Sequence, residues 1–211
     1  MKSALRVALI IAGVLLVSAV VGRLAWYRMR PAAANLPVIG RVPDFSLIDS
    51  SGRPFSQAQL AGTVWVADFI YTHCPGVCPL LTAQMAKLQG ALVDEGAQRV
   101  RLVSFTVDPT NDTPEVLREY GKRFGAQPER WFFLTGERAA LYSLIAEGFH
   151  LAVAERPESE NRDGEGLITH SDRFVLVDRR LQIRGYYHGN EQESVQKLRQ
   201  DIDLLIKEGA S

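Results

Sequence analysis

A chain of 211 residues, 46% hydrophobic and 23% charged, is long enough for one domain with a full core. That composition excludes wholesale disorder, a collagen-like fibre and a disulfide-stapled miniprotein. Its 24 basic and 24 acidic residues cancel, which argues against nucleic acid as a partner, because phosphate binding draws on a basic surplus.

Val7–Gly22 carries no charge over sixteen positions. As a helix it spans about 24 Å, a little short of a bilayer's roughly 30 Å core. With Arg6 and Arg23 snorkelling and Trp26 and Tyr27 at the interface, Leu5–Tyr27 is expected to cross a membrane. A cleaved signal peptide and a buried core helix are the rivals. The small residues Ala32–Ala34 lie beyond Arg23, Arg28 and Arg30, too far from the apolar core for a cleavage site. Basic residues on the two sides of the span nearly balance, and export of the following domain is the usual outcome for a lone anchor. The expected organisation is an anchor over 1–30, a Pro/Ala-rich tether over 31–42 and one domain over 43–211.

Within that domain, Asp44–Ile48 and the Ser51–Gly52 turn predict a small leading hairpin. Thr63–Thr72 is almost continuously apolar and β-rich, the pattern of a central strand covered on both faces. It runs into His73-Cys74-Pro75-Gly76-Val77-Cys78-Pro79 and then a helix over about Leu80–Gly90. Arg99–Val107 is the next strand, and Thr113 caps a helix with Pro114 at its first position, running to about Phe124. A strand at Trp131–Leu134, a helix over Glu137–Glu147, extended chain at Phe149–Ala154 and a polar insertion over Glu155–Gly166 follow. Arg173–Val177 and Leu181–Tyr186 read as a hairpin, and an amphipathic helix over Glu193–Glu208 closes the chain. Alternating strands and helices, with cysteines after the first long strand and a final hairpin and helix, predict an α/β thioredoxin-like fold. Its central mixed sheet is flanked by helices.

Cys74 and Cys78 are the only cysteines, and two thiols so close in sequence cannot staple a fold. Loops at strand carboxyl ends form the functional crevice of an α/β sheet. Pro79 fits the first helical position, which would put both sulfurs near a helix N-terminus and lower their pKa. The three-residue spacing allows a disulfide or two ligands on one metal. Two thiolates with an imidazole suit Cu(I), tolerate Cu(II) with added oxygen ligands, and would also accept Zn(II) with a water. Among His73, His150, His170 and His188, the candidate third ligand is His170. It lies ahead of the Arg173–Val177 strand, near where thioredoxin-like folds usually carry a cis-proline.

Val64–Leu80, Val103–Pro114 and His170–Asp178 resemble the Sco/SenC proteins, membrane-tethered copper chaperones of cytochrome c oxidase assembly. The motifs are CPxVCP after a buried strand, DP-x-x-DTP, and His-Ser before a strand, and the resemblance spans roughly residues 40–208. It implies one copper held by Cys74, Cys78 and His170. It also implies partners in oxidase subunit II, or a related copper protein, and in a copper donor. Gly76 departs from the many members that carry Asp there. A bacterial inner-membrane location with the domain in the periplasm is expected, there being no mitochondrial-type presequence.

The remaining residues are read more plainly. Asp68 is a carboxylate in an apolar strand, expected as a hydrogen-bonded structural acid, with a proton relay to the cysteines as the sharper option. Asp108 and Asp112 are expected in turn and capping duty, with contact to a partner or to the surroundings of the metal as the alternative. His73 would tune the thiol field or be merely exposed, His150 and His188 would lie on the surface, and Met85, Trp65 and Trp131 in the core. Two functional rivals to the chaperone are a membrane-anchored thiol–disulfide oxidoreductase cycling Cys74 and Cys78, and a thiol peroxidase with Cys74 as its peroxidatic residue.

Overall fold

A computed structural model describes residues 36–92, 100–155 and 168–208. The apolar run forms strand β4, Trp65–Ile70, with all six residues buried. It lies inside an eight-stranded mixed sheet of order β1-β10-β9-β4-β5-β6-β2-β3. These strands are β1 Gly40–Arg41, β2 Ser46–Asp49, β3 Pro54–Ser56, β5 Arg101–Thr106, β6 Trp131–Thr135, β9 Arg173–Val177 and β10 Gln182–His188. β5 and β6 run parallel to β4 on one side, and β9 runs antiparallel on the other.

Among the described residues four α-helices accompany the sheet: α1 Cys78–Ala91, α2 Pro114–Arg123, α3 Arg138–Ser143 and α4 Gln192–Glu208. The strand alternation assigns them to faces. On one face Tyr120 of α2 meets Phe133, Leu81 of α1 lies near Phe174, and Tyr187 bonds Asp201 of α4. On the other, Trp65, Phe69 and Phe105 pack around Phe149, which follows α3. Gly121 is needed for the close approach of α2, since a Cβ there would come within 2.8 Å of the Phe133 ring. Trp65, Trp131 and Met85 are core residues, as their sequence context predicts.

Several boundaries differ from the sequence reading. Gly40–Arg41, inside the stretch read as a tether, pairs with Gln182 and Ile183. The Arg184 guanidinium donates to the carbonyls of Leu36 and Pro37. The expected helix over Glu137–Glu147 changes pitch, with α3 passing into a π turn at Leu144–Gly148. Phe149 closes that turn and His150 has φ of 53°, so the chain becomes extended only at β7, Val153–Glu155. β7 pairs with β8, Ile168–His170, as a separate two-stranded ribbon. The expected anchor over 1–30 and most of the polar insertion lie outside the described residues. Among the described residues, no helix is long and apolar enough to cross a membrane.

Candidate metal centre

The cysteine loop springs from the carboxyl end of β4. Cys78 is the first residue of α1, with Val77 as N-cap, so the helix begins one residue earlier than Pro79 suggested and Pro79 takes the second position. A missing N–H is equally harmless there, because the first four amides of a helix have no partner inside it. Both cysteines are buried thiols, not a disulfide. Cys74 turns back locally, its amide donating to the Tyr71 carbonyl at 3.3 Å. Exposed Pro75, Gly76, Pro79 and Leu80 surround the pair at the surface.

The two sulfurs share a hydrogen bond, and this bond is the main reason the Cys78 thiol is pushed well above its ordinary pKa. Burial adds to the effect, as do the nearby charges of Cys74 and Asp68, while the Tyr71 amide opposes it. This corrects the expectation that the helix N-terminus lowers both thiols. For Cys78, the proton shared across the pair and the loss of water outweigh the dipole. Cys78 therefore holds its proton more tightly than an ordinary thiol in the metal-free protein.

Asp68 is fully buried on β4, opposite Ser104 in the register. Its charge is a minor cause raising both Cys78 and Tyr120. Tyr120 was not a candidate in the sequence. Its hydroxyl lies 2.9 Å from Thr82 Oγ1, and burial is the main cause that pushes its pKa up. Beside it, a groove with a cavity volume of about 400 Å³ runs between Thr72–His73 and the side of α2 carrying Glu115, Val116 and Glu119.

Asp108 fills the turn role expected of it, its carbonyl accepting from the amides of Asn111 and Asp112 and its carboxylate from the Asn111 side chain. Asp112 does not. It is fully buried and bonds Thr72 and Thr106, and burial raises its pKa above the usual carboxylate value. His73 is exposed, with Nδ1 3.1 Å from Thr72 Oγ1. His150 is exposed as expected, whereas His188 is half-buried and bonds Asp172 at 2.9 Å.

His170 is the last residue of β8, its backbone opposite Val153. In the main sheet Ala67 lies opposite Val175 and Trp65 opposite Val177. β9 consequently begins beside the carboxyl end of β4, and His170 precedes β9 by three residues. The topology thus brings the backbone of His170 to the end of the sheet from which the cysteine loop springs. Among the described side chains, no group of three His, Cys, Asp or Glu is placed to hold a metal ion. The His170 side chain is not among them.

The profile of the SCO1/SenC family matches residues 39–207. The chain belongs to the SCO1/SenC family. The SCO1 protein homolog of Bacillus subtilis is 32% identical over 166 residues, 79% of this chain and 83% of that protein. A Stutzerimonas stutzeri protein named for copper binding is 31% identical over 151 residues, 72% of this chain and 71% of that one. A solved structure whose subject is a disulfide switch in BsSco, a member of the Sco family of cytochrome c oxidase assembly proteins, has a TM-score of 0.69. It is 32% identical and covers 81% of this chain and 95% of that one. The thioredoxin-like α/β reading of this SCO1/SenC domain agrees with that likeness.

Proposed function

We propose that the chain is a copper metallochaperone, binding one copper ion as cargo through the sulfurs of Cys74 and Cys78 and the imidazole of His170. The observation that carries this reading is the pair of buried, mutually hydrogen-bonded thiols at the carboxyl end of the central strand. Two soft sulfur donors with an imidazole favour Cu(I) over harder cations. The Stutzerimonas relative's name supports copper as the ion. The likeness to BsSco, a member of the Sco family of cytochrome c oxidase assembly proteins, supports a target in that assembly. The recipient in this reading is the binuclear copper site of oxidase subunit II. A copper donor precedes it, and the apolar segment near the N-terminus tethers the domain on the periplasmic side of a bacterial inner membrane.

What the chain's own residues do follows from their placement. α1 holds Cys78, the β4 end holds Cys74, and copper takes the place of the proton shared between them. Because both sulfurs are buried, donor and recipient must dock against Pro75, Gly76, Pro79 and Leu80 before ligands can exchange.

The test is Cu(I) affinity of the reduced protein by chelator competition, beside Cys78→Ser and His170→Ala. Tight one-to-one binding that both substitutions weaken by about a hundredfold or more supports the three-ligand site. A wild type that binds no better than His170→Ala removes His170 from the set. A wild type that binds no copper, with a cycling disulfide, makes the chain a thiol–disulfide oxidoreductase instead.

A further inference from the structure

We propose that Asp112 is the positioning residue of the cysteine loop, holding Thr72 so that Cys74 is set against Cys78 as a dithiol. The inference rests on the reading of those two thiols as the functional pair.

The β4–β5 ladder ends at Ile70 and Thr106, with a last bond from the Val107 amide to the Ile70 carbonyl at 2.8 Å. Thr72 lies two residues beyond that rung and two before Cys74. There the Asp112 carboxylate takes over. Its Oδ1 accepts the Thr72 hydroxyl at 2.5 Å, and its Oδ2 accepts the Thr106 hydroxyl at 2.5 Å. The Thr72 amide is shared between both oxygens at 3.3 and 3.2 Å. A fully buried carboxylate is costly to place, and two parallel strands do not need one once their own ladder is complete. What this one adds is a fixed point for the chain after the ladder stops. The Thr72 hydroxyl also meets His73 Nδ1 at 3.1 Å, carrying the clamp to the residue next to Cys74.

Cys78 is held separately. Its carbonyl accepts the Thr82 hydroxyl at 2.9 Å within α1. The approach of the two sulfurs is thus set by the helix for Cys78 and the Asp112–Thr72 clamp for Cys74, with Tyr71 between them, its carbonyl accepting the Cys74 amide and its amide donating to the Cys78 sulfur. Oxidation removes two electrons and two protons from the thiols and forms an Sγ–Sγ bond, and glutathione disulfide takes up both and leaves as two glutathione thiols. The clamped geometry is that of the dithiol, so releasing the clamp favours the disulfide.

The experiment measures the Cys74–Cys78 equilibrium in glutathione buffers for wild type, Asp112→Asn, Thr72→Val and Thr72→Ser. Thermal unfolding of each variant accompanies it, along with the absorption spectrum of the copper-loaded protein. Asp112→Asn and Thr72→Val are expected to raise the oxidation constant about tenfold, a potential about 30 mV more negative. Thr72→Ser keeps the hydroxyl and should stay within about twofold of wild type. A folded Thr72→Val that shifts by less than about twofold overturns the proposal, as does a shift that Thr72→Ser fails to rescue. A purely structural clamp would lower the melting temperature and leave potential and spectrum in place, which also overturns it. Thr72→Val carries the test if Asp112→Asn does not fold. Absence of copper binding in the wild type would defeat the functional reading alone, since the glutathione comparison still decides the clamp.

Discussion

The Tyr120 hydroxyl on α2 and the Thr82 hydroxyl on α1 meet at 2.9 Å, one helical turn along from Cys78. Thr82 gives its own proton to the Cys78 carbonyl, so Tyr120 is the donor of the pair. The two substitutions at this contact therefore differ. Tyr120→Phe removes one donor and leaves Thr82 bonded within its helix, at a cost of about 1 kcal/mol. Thr82→Val removes both bonds and strands a buried phenol, for about 1–3 kcal/mol. Urea unfolding should rank Thr82→Val as the less stable variant with unchanged m-values. The reverse order would mean that the Tyr120 hydroxyl is worth more than its one bond to Thr82.

Copper affinity should rise with pH. The Cys78 pKa lies above its ordinary value, foremost because of the hydrogen bond with Cys74, so at neutral pH this sulfur carries a proton that copper must displace. For a group protonated throughout the window, each pH unit gained multiplies the apparent affinity by about ten per proton released. Chelator competition between pH 6 and 8 should therefore give a slope of at least about one in log K against pH. A flat profile would show that Cys78 is already a thiolate in the metal-free protein.

The fold was largely legible because its strongest signals are local. The buried run at β4, the Thr113 cap with its Pro114 start, and the closing hairpin and helix all appear where periodicity and turn chemistry place them. The misplaced features depend on partners distant in sequence. Asp112 reads as a capping residue until Thr72, forty residues earlier, is seen bonded to it. Leu36 and Pro37 read as tether until Arg184 is found donating to their carbonyls. The Cys78 thiol is raised by Cys74 and by burial, whereas the sequence displays only the helix start. Tyr120 gave no signal, since a tyrosine on an amphipathic helix is ordinarily just core.

Asp68 offers a milder test of the electrostatics. Its charge is the smallest of the causes raising Cys78, after the sulfur pair, burial and the Cys74 charge. Asp68→Asn should therefore speed alkylation of Cys78 in the metal-free protein by a few-fold only. Peptide mapping after a short iodoacetamide pulse at pH 8 reads the rate at each cysteine. A change of about a hundredfold would exceed a minor charge effect and indicate that Asp68 takes a thiol proton directly.

Arg184 ties the N-terminal segment to the far end of the sheet. It is nearly buried, and its guanidinium bonds the Leu36 carbonyl at 2.7 Å and the Asp178 carboxylate at 2.8 Å, with Glu208 at 3.5 Å. Arg184→Met strands the Asp178 carboxylate, itself only 6% exposed, and breaking such a pair from one side costs about 3–5 kcal/mol. Asp178 keeps two backbone donors, Arg180 at 2.8 Å and Gln182 at 2.9 Å, which should hold the loss near the lower end. Arg184→Lys preserves the charge but cannot reach carboxylate and carbonyl together, so it should recover only part of the loss. Urea unfolding gives the energies, and limited proteolysis should show earlier cleavage at 36–42 in Arg184→Met. A loss below about 1 kcal/mol, or unchanged cleavage there, would mean that the Gly40–Arg41 pairing with β10 holds the segment without Arg184.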